Sequence, residues 1–104
     1  MGKSQRTKGR AGQLSARHLL EDRDWQVNEL NGGTSVADFL AIDPDGQPWS
    51  VEVKNQIAIN VRAFRKQAIS QAGKLPWLLL CKVDGTSSWL VLMKGERPRV
   101  WHSK

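Results

Sequence analysis

Asp38-Phe39-Leu40-Ala41-Ile42-Asp43-Pro44-Asp45-Gly46-Gln47-Pro48-Trp49-Ser50-Val51-Glu52-Val53-Lys54 is the stretch on which the architecture turns. Its centre, Asp43-Pro44-Asp45-Gly46, is a turn signal, because Pro presets φ and Gly accepts φ > 0. The flanks carry strand formers, so residues 35–42 and 48–54 are expected to pair as an antiparallel hairpin. In the second strand Trp49, Val51 and Val53 point one way, and Ser50, Glu52 and Lys54 the other. That alternation makes one face a core wall and leaves the polar face toward a cleft.

Working outward, residues 13–23 form a helix whose stripe is Leu14, Ala16, Leu19 and Leu20, with its start near Thr7 or Gly9. A short strand over 25–30 ends at the turn Asn31-Gly32-Gly33. Downstream, 60–73 reads as a helix, with Asn60 as N-cap and Gly73 as C-cap. Its apolar stripe is Val61, Phe64, Ala68 and Ala72, and Arg62, Arg65 and Lys66 form a basic flank. Residues 77–82 are nearly continuous in apolar side chains, as expected of a central strand, and 88–93 make a last strand. The expectation is an α/β domain in the order α-β-β-β-α-β-β, a central mixed sheet flanked by helices. A basic arm over 1–8 precedes a domain over 9–94, and 95–104 is a basic tail with no assigned element.

The 104 residues suit one domain. No apolar run approaches the roughly 20 residues of a membrane span, and the first residues are polar and basic, so a soluble protein of the cytoplasm is expected. The single cysteine, Cys81, excludes an internal disulfide and a cysteine-based zinc site. It sits in an apolar run and reads as a buried hydrophobe. Sixteen Lys and Arg against ten Asp and Glu leave a net charge of +6. Lys3, Arg6, Lys8 and Arg10 crowd the first ten residues without an acid, which suits a polyanion or serves as a solubilising tail. Without a strongly amphipathic basic helix, nucleic acid is favoured over a membrane surface.

The chemistry concentrates on the hairpin. In register, it brings Asp38 and Glu52 to one point, where two carboxylates are tolerable if a divalent cation lies between them. Oxygen donors of this kind suit Mg2+, with Mn2+ able to substitute, and the Val53 carbonyl is a further ligand. Such a cation lowers the pKa of water and neutralises charge on a phosphate. Lys54 can orient that water or stabilise the anionic transition state. A Glu and a Lys two apart on a strand also make an ordinary solvated ion pair; the surrounding hairpin, the leading helix and the basic helix that follows favour the catalytic assignment.

The segments Asp38-Phe39-Leu40-Ala41-Ile42 and Val51-Glu52-Val53-Lys54-Asn55-Gln56 resemble the core motif of the PD-(D/E)XK nuclease superfamily. The likeness is closest to small Holliday-junction resolvases and to phage- and virus-type replication–repair nucleases, and spans roughly residues 8–93, beginning at Lys8-Gly9. It implies a restriction-endonuclease-like, resolvase-like core. It implies a magnesium-dependent endonuclease acting on DNA, with Asp38 and Glu52 as metal ligands and Lys54 assisting catalysis. Branched DNA such as Holliday junctions, a homodimer that cuts symmetrically, and a phage or bacterial replication and recombination setting belong to the same expectation. Those resolvases carry a glutamate on the first helix. The matching position here is Gln13, which would reach a metal only through a neutral amide oxygen; Glu21, two turns on, is the alternative, against a surface salt bridge.

Gln56 follows the motif, where a polar residue can touch the water or the phosphate. Thr34 and Ser35, after Gly32-Gly33, are candidates for phosphate contact, as are Arg62, Arg65 and Lys66. Gln67 and Gln71 resemble a glutamine on this helix in some family members, against a plain solvated face. His18 reads as half-buried packing, His102 as solvated tail, Trp49, Trp77 and Trp89 as core, and Trp101 as free to stack on an exposed base. Two other functions stay open: a nicking, flap or single-strand nuclease of the same chemistry, and a nucleic-acid-binding module that retains the fold without cleavage.

Overall fold

The chain of the computed structural model runs α1 (Gly2–Glu21), β1 (Gln26–Glu29), β2 (Phe39–Ile42), β3 (Pro48–Lys54), α2 (Val61–Ala72), β4 (Trp77–Lys82), β5 (Ser88–Met93) and β6 (Arg99–His102). Residues 2–29, 38–55, 60–83 and 85–103 are described. Among the described residues this is an α/β protein with two helices and one six-stranded mixed sheet, whose strands lie side by side in chain order. Every neighbouring pair is antiparallel except β3 and β4, which are parallel. A parallel pair needs a long crossover, and α2 is that crossover.

The hairpin forms where its turn dictates. Gly46 adopts φ +90° and its N–H donates to the Asp43 carbonyl at 2.9 Å. The Asp43 carboxylate then accepts the N–H groups of Asp45 and Gln47, each at 2.9 Å, and the Trp49 indole N–H at 3.0 Å. Slight burial pushes this carboxyl up, but those donors outweigh it and hold it below its ordinary range. With the turn so pinned, Phe39 lies opposite Val51 and Leu40 opposite Ser50.

Alternation along the strands divides the core between the two faces. On one, Ala16, Leu19 and Leu20 of α1 pack with Phe39, Ala41, Val51, Leu78, Leu80, Trp89 and Val91. On the other, Ala68 and Ala72 of α2 pack with Trp77, Leu79, Cys81 and Leu92. Both faces of β4 are therefore covered, and five of its six residues are buried, which is why its sequence is apolar without a break. The Asn60 side chain caps α2 by accepting the Ala63 N–H at 3.1 Å, and Gly73 closes it at φ +60°.

Several expectations give way. α1 begins at Gly2 and ends at Glu21, so its helical backbone starts ahead of the expected start near Thr7 or Gly9 and stops short of residue 23. Leu14 is 54% exposed, because Gly12, Ala16, Leu19 and Leu20 face the sheet and Leu14 lies off that side. His18 is exposed rather than half-buried. The tail contains β6, which pairs Trp101 with Trp89 and Val100 with Leu90, so the sheet continues past residue 94. Four residues after a proline are too short for a periodic signal, and their partner β5 supplies the order. Trp101 is not free for a ligand: its ring lies 6.5 Å from that of Trp25, edge to face, and the Arg23 guanidinium covers it at 4.5 Å. No helix among the described residues is long and apolar enough to cross a membrane.

Candidate active site

Asp38 stands at the bend that opens β2, one residue before the ladder. Its N–H donates to the Val51 carbonyl at 3.1 Å, which carries the strand pairing one step further. Its Oδ2 accepts the Val53 N–H at 2.7 Å, and its Oδ1 accepts the Gln13 side-chain amide at 2.8 Å. The carboxylate is thus held between a strand and a helix. An extended residue projects its N–H and C=O to the same side, so the Val53 carbonyl also faces the Asp38 side of β3.

Glu52 lies on the α2 face of β3, opposite Leu79 of β4, and is only 6% exposed. The polar face expected to line an open cleft is therefore roofed by α2. Lys54 Nζ lies 3.5 Å from Glu52 Oε1 and 5.0 Å from the centroid of the Phe64 ring. Phe64 belongs to the first turn of α2, so the crossover helix holds the ammonium over the site. Burial and the neighbouring Asp38 charge push Glu52 up to about 7, against the opposing pull of Lys54. Two carboxylates and one lysine meet here, with Glu52 buried and Asp38 and Lys54 half-buried. Lys54 is the cation seen beside Glu52.

The carboxylate pair is the test of whether a cation fits. Asp38, Glu52 and the Val53 carbonyl offer hard oxygen donors, and the unfavourable charge of the carboxylate pair is what a divalent ion relieves. Among the described residues no group of three His, Cys, Asp or Glu side chains occurs, so the carboxylate donors are these two. A magnesium ion fits this set. The Gln13 side-chain amide is spent on Asp38.

α1 approaches the motif unusually closely. A Cβ on Gly12 would lie 2.8 Å from Asn55 Cβ, so a residue with a side chain would push the helix away from the strand end. Gly12 and Asn55 carry no chemistry in the sequence reading and were missed as site residues. A glycine inside an otherwise helical segment, where it costs about 1 kcal/mol relative to alanine, was the available signal.

Other candidates scatter. Glu21 pairs with Arg17 at 3.3 Å on the exposed side of α1, two turns away from Gln13, as a surface salt bridge. Arg62, Arg65 and Lys66 are exposed along α2. Gln67 and Gln71 are half-buried, and the Gln71 Oε1 atom is enclosed, which is not a plain solvated face. Lys3, Arg6, Lys8 and Arg10 lie on the first turns of α1, where the structure describes backbone only. Gln56, Ser35 and Thr34 lie outside the described residues. Cys81 is buried and free, and burial pushes its thiol up to about 11 against the pull of Lys54; it is a packing residue.

Compared with protein-family models, with curated proteins and with solved structures, the chain has no match.

Proposed function

We propose that this chain is a magnesium-dependent deoxyribonuclease of the PD-(D/E)XK type with a restriction-endonuclease-like core, cutting branched or otherwise distorted DNA. One observation carries it: strands β2 and β3 bring Asp38 and Glu52 together beside Lys54, with the Asp38 carboxylate clamped from two sides. The sequential sheet with a single parallel crossover, and the +6 charge, agree with it.

Asp38, Glu52 and the Val53 carbonyl would hold the ion. The chemistry magnesium supplies when bound is a lowered water pKa and neutralised phosphate charge. The residues do the rest. Gln13 and the Val53 N–H fix the direction of Asp38, and α2 excludes water from Glu52. Lys54 sits close enough to orient a nucleophilic water by its N–H donors and to stabilise negative charge on the phosphate. Arg62 and Lys66 supply positive charge on the flank along which a phosphate backbone would run.

A purified preparation would be incubated with magnesium and labelled four-way junction, flap, single strand and duplex, beside Lys54→Ala and Asp38→Asn. Metal-dependent cutting, lost in both variants, is the expected result. Symmetric nicks near a junction would make it a resolvase, and a homodimer would then be required. Binding without cutting under either magnesium or manganese would overturn the enzymatic assignment and leave a DNA-binding protein with a vestigial site.

A further inference from the structure

A cavity of about 290 Å³ opens beneath α2 at the end of the sheet away from Lys54. Trp77 and Leu92, both from the α2 face, give it an apolar floor, and Gly95 and Pro98 wall it from the turn before β6. Two oppositely charged side chains, Arg65 and Glu96, are among its lining residues. The Arg65 guanidinium lies 5.6 Å from the centroid of the Trp77 ring. The Glu96 carboxylate stands on the rim, holding Arg99 at 3.2 Å.

An apolar floor, one cation and one hydrogen-bond acceptor in a space at the small end of ligand pockets specify a small planar partner. It must offer N–H donors to Glu96 and an anionic group to Arg65. A peptide segment with several side chains is too large, and a lipid chain gives Glu96 nothing to accept. A nucleobase with its phosphate meets all three demands, since an exocyclic amino group is a natural partner of a carboxylate.

Placement supplies the second support. Lys54 pairs with Cys81 at one end of the β3–β4 register and Ser50 with Trp77 at the other. The interval is roughly 13 Å at about 3.3 Å per residue, close to the rise of four stacked nucleotides in one strand. Both ends lie under the same helix: Phe64 touches Lys54 and the next residue, Arg65, reaches Trp77. Exposed Arg62 and Lys66 continue that flank.

We infer that the Arg65–Trp77–Glu96 cavity receives one unpaired base of a DNA strand whose backbone follows the basic flank of α2 toward the Asp38–Glu52–Lys54 site. A base still paired in a duplex cannot enter, so the cavity selects strands with an unstacked nucleotide a few positions from the cut. The choice of DNA rests on the proposed function; the recognition itself does not require cleavage.

Binding would be measured on the full chain in EDTA, so that nothing is cut. The probes are a twelve-nucleotide single strand with 2-aminopurine at its centre and the matching duplex. The variants are Arg65→Ala and Glu96→Ala, both at surface positions, with melting curves to establish that each is folded. Both variants are expected to weaken single-strand binding about tenfold, as loss of one stacked and hydrogen-bonded base does, and to remove the 2-aminopurine quench. Duplex binding should follow charge alone, weaker for Arg65→Ala and tighter for Glu96→Ala. If Glu96→Ala tightens single-strand binding as it does duplex binding, the cavity holds no base and the inference fails. If the expected pattern appears in a protein that never cuts, the cavity stands and the nuclease assignment falls.

Discussion

The side-chain amide of Gln13 donates to Asp38 Oδ1 at 2.8 Å, joining residues 25 positions apart in the chain. It is the contact through which the first helix reaches the carboxylate pair. Gln13→Leu removes the donor and leaves Asp38 held from β3 alone. Cleavage should fall on the order of tenfold to a hundredfold through misplacement of the ligand, with magnesium affinity, read by titration calorimetry, falling in parallel. Gln13→Glu should do the opposite to the ion: a third carboxylate lowers the melting temperature without magnesium and tightens magnesium binding. Unchanged affinity in both variants would remove Gln13 from the site.

Gly12→Ala sets two effects against each other. Alanine is the better helix former by about 1 kcal/mol, yet its Cβ would meet Asn55 Cβ at 2.8 Å, and a clash with the stem of a side chain is not relieved by a rotamer change. Overpacking of this kind costs about 1–3 kcal/mol, so the net is a destabilisation. The melting temperature should drop by several degrees, since about 1 kcal/mol moves a domain of this size by roughly 4–8 °C. A rise would show that α1 has room to shift.

The raised Glu52 carboxyl sets the pH dependence. Its folded value, about 7, lies above the ordinary 4.5. The folded protein therefore holds a proton that the unfolded chain has lost over that interval. The stabilisation is full below about 4.5 and is lost as pH rises through about 7. Without divalent ions, Glu52→Gln should raise the melting temperature at pH 8 and change it little at pH 4.5. Magnesium should stabilise the parent protein more at pH 8 than at pH 5.5, because the ion competes with that proton. Equal stabilisation at both values would place the ion elsewhere.

Removing residues 1–7 deletes Lys3 and Arg6 while sparing Gly12 and Gln13. If those charges neutralise phosphates, the slope of log K against log salt for DNA should flatten by roughly one unit per lost contact. An unchanged slope would make the first turns of α1 a solubilising extension only.

Cys81 offers an independent check on the sheet. Buried beside Leu79 in the cluster that packs against α2, with its thiol raised to about 11, it should resist a thiol reagent at pH 8 and react promptly in denaturant. Fast labelling of the native protein would contradict the central placement of β4.

Local signals specify structure where chemistry and period agree over a long enough stretch. The bounds of β3, β4 and β5 match the sequence expectation, and the Asp43–Gly46 turn and the Asn60 and Gly73 caps lie where backbone rules put them. Asp38, Glu52 and Lys54 come together because the hairpin register is set by its own turn. Leu14 and Trp101 depart from the expectation for one reason: which side of a helix or strand is covered depends on what the rest of the chain places there. β6 escaped because an edge strand of four residues borrows its order from its neighbour.

The sequence by itself determined the hairpin, the parallel crossover and the identity of the two carboxylates and the lysine, since turn residues and strand alternation act over a few positions. Only the tertiary structure decided that α2 roofs Glu52 and raises its carboxyl, that Gln13 spends its amide on Asp38, and that Gly12 must be bare for α1 to meet Asn55. Burial and side-chain pairing arise between elements distant along the chain, and no local pattern encodes the distance at which two surfaces finally meet.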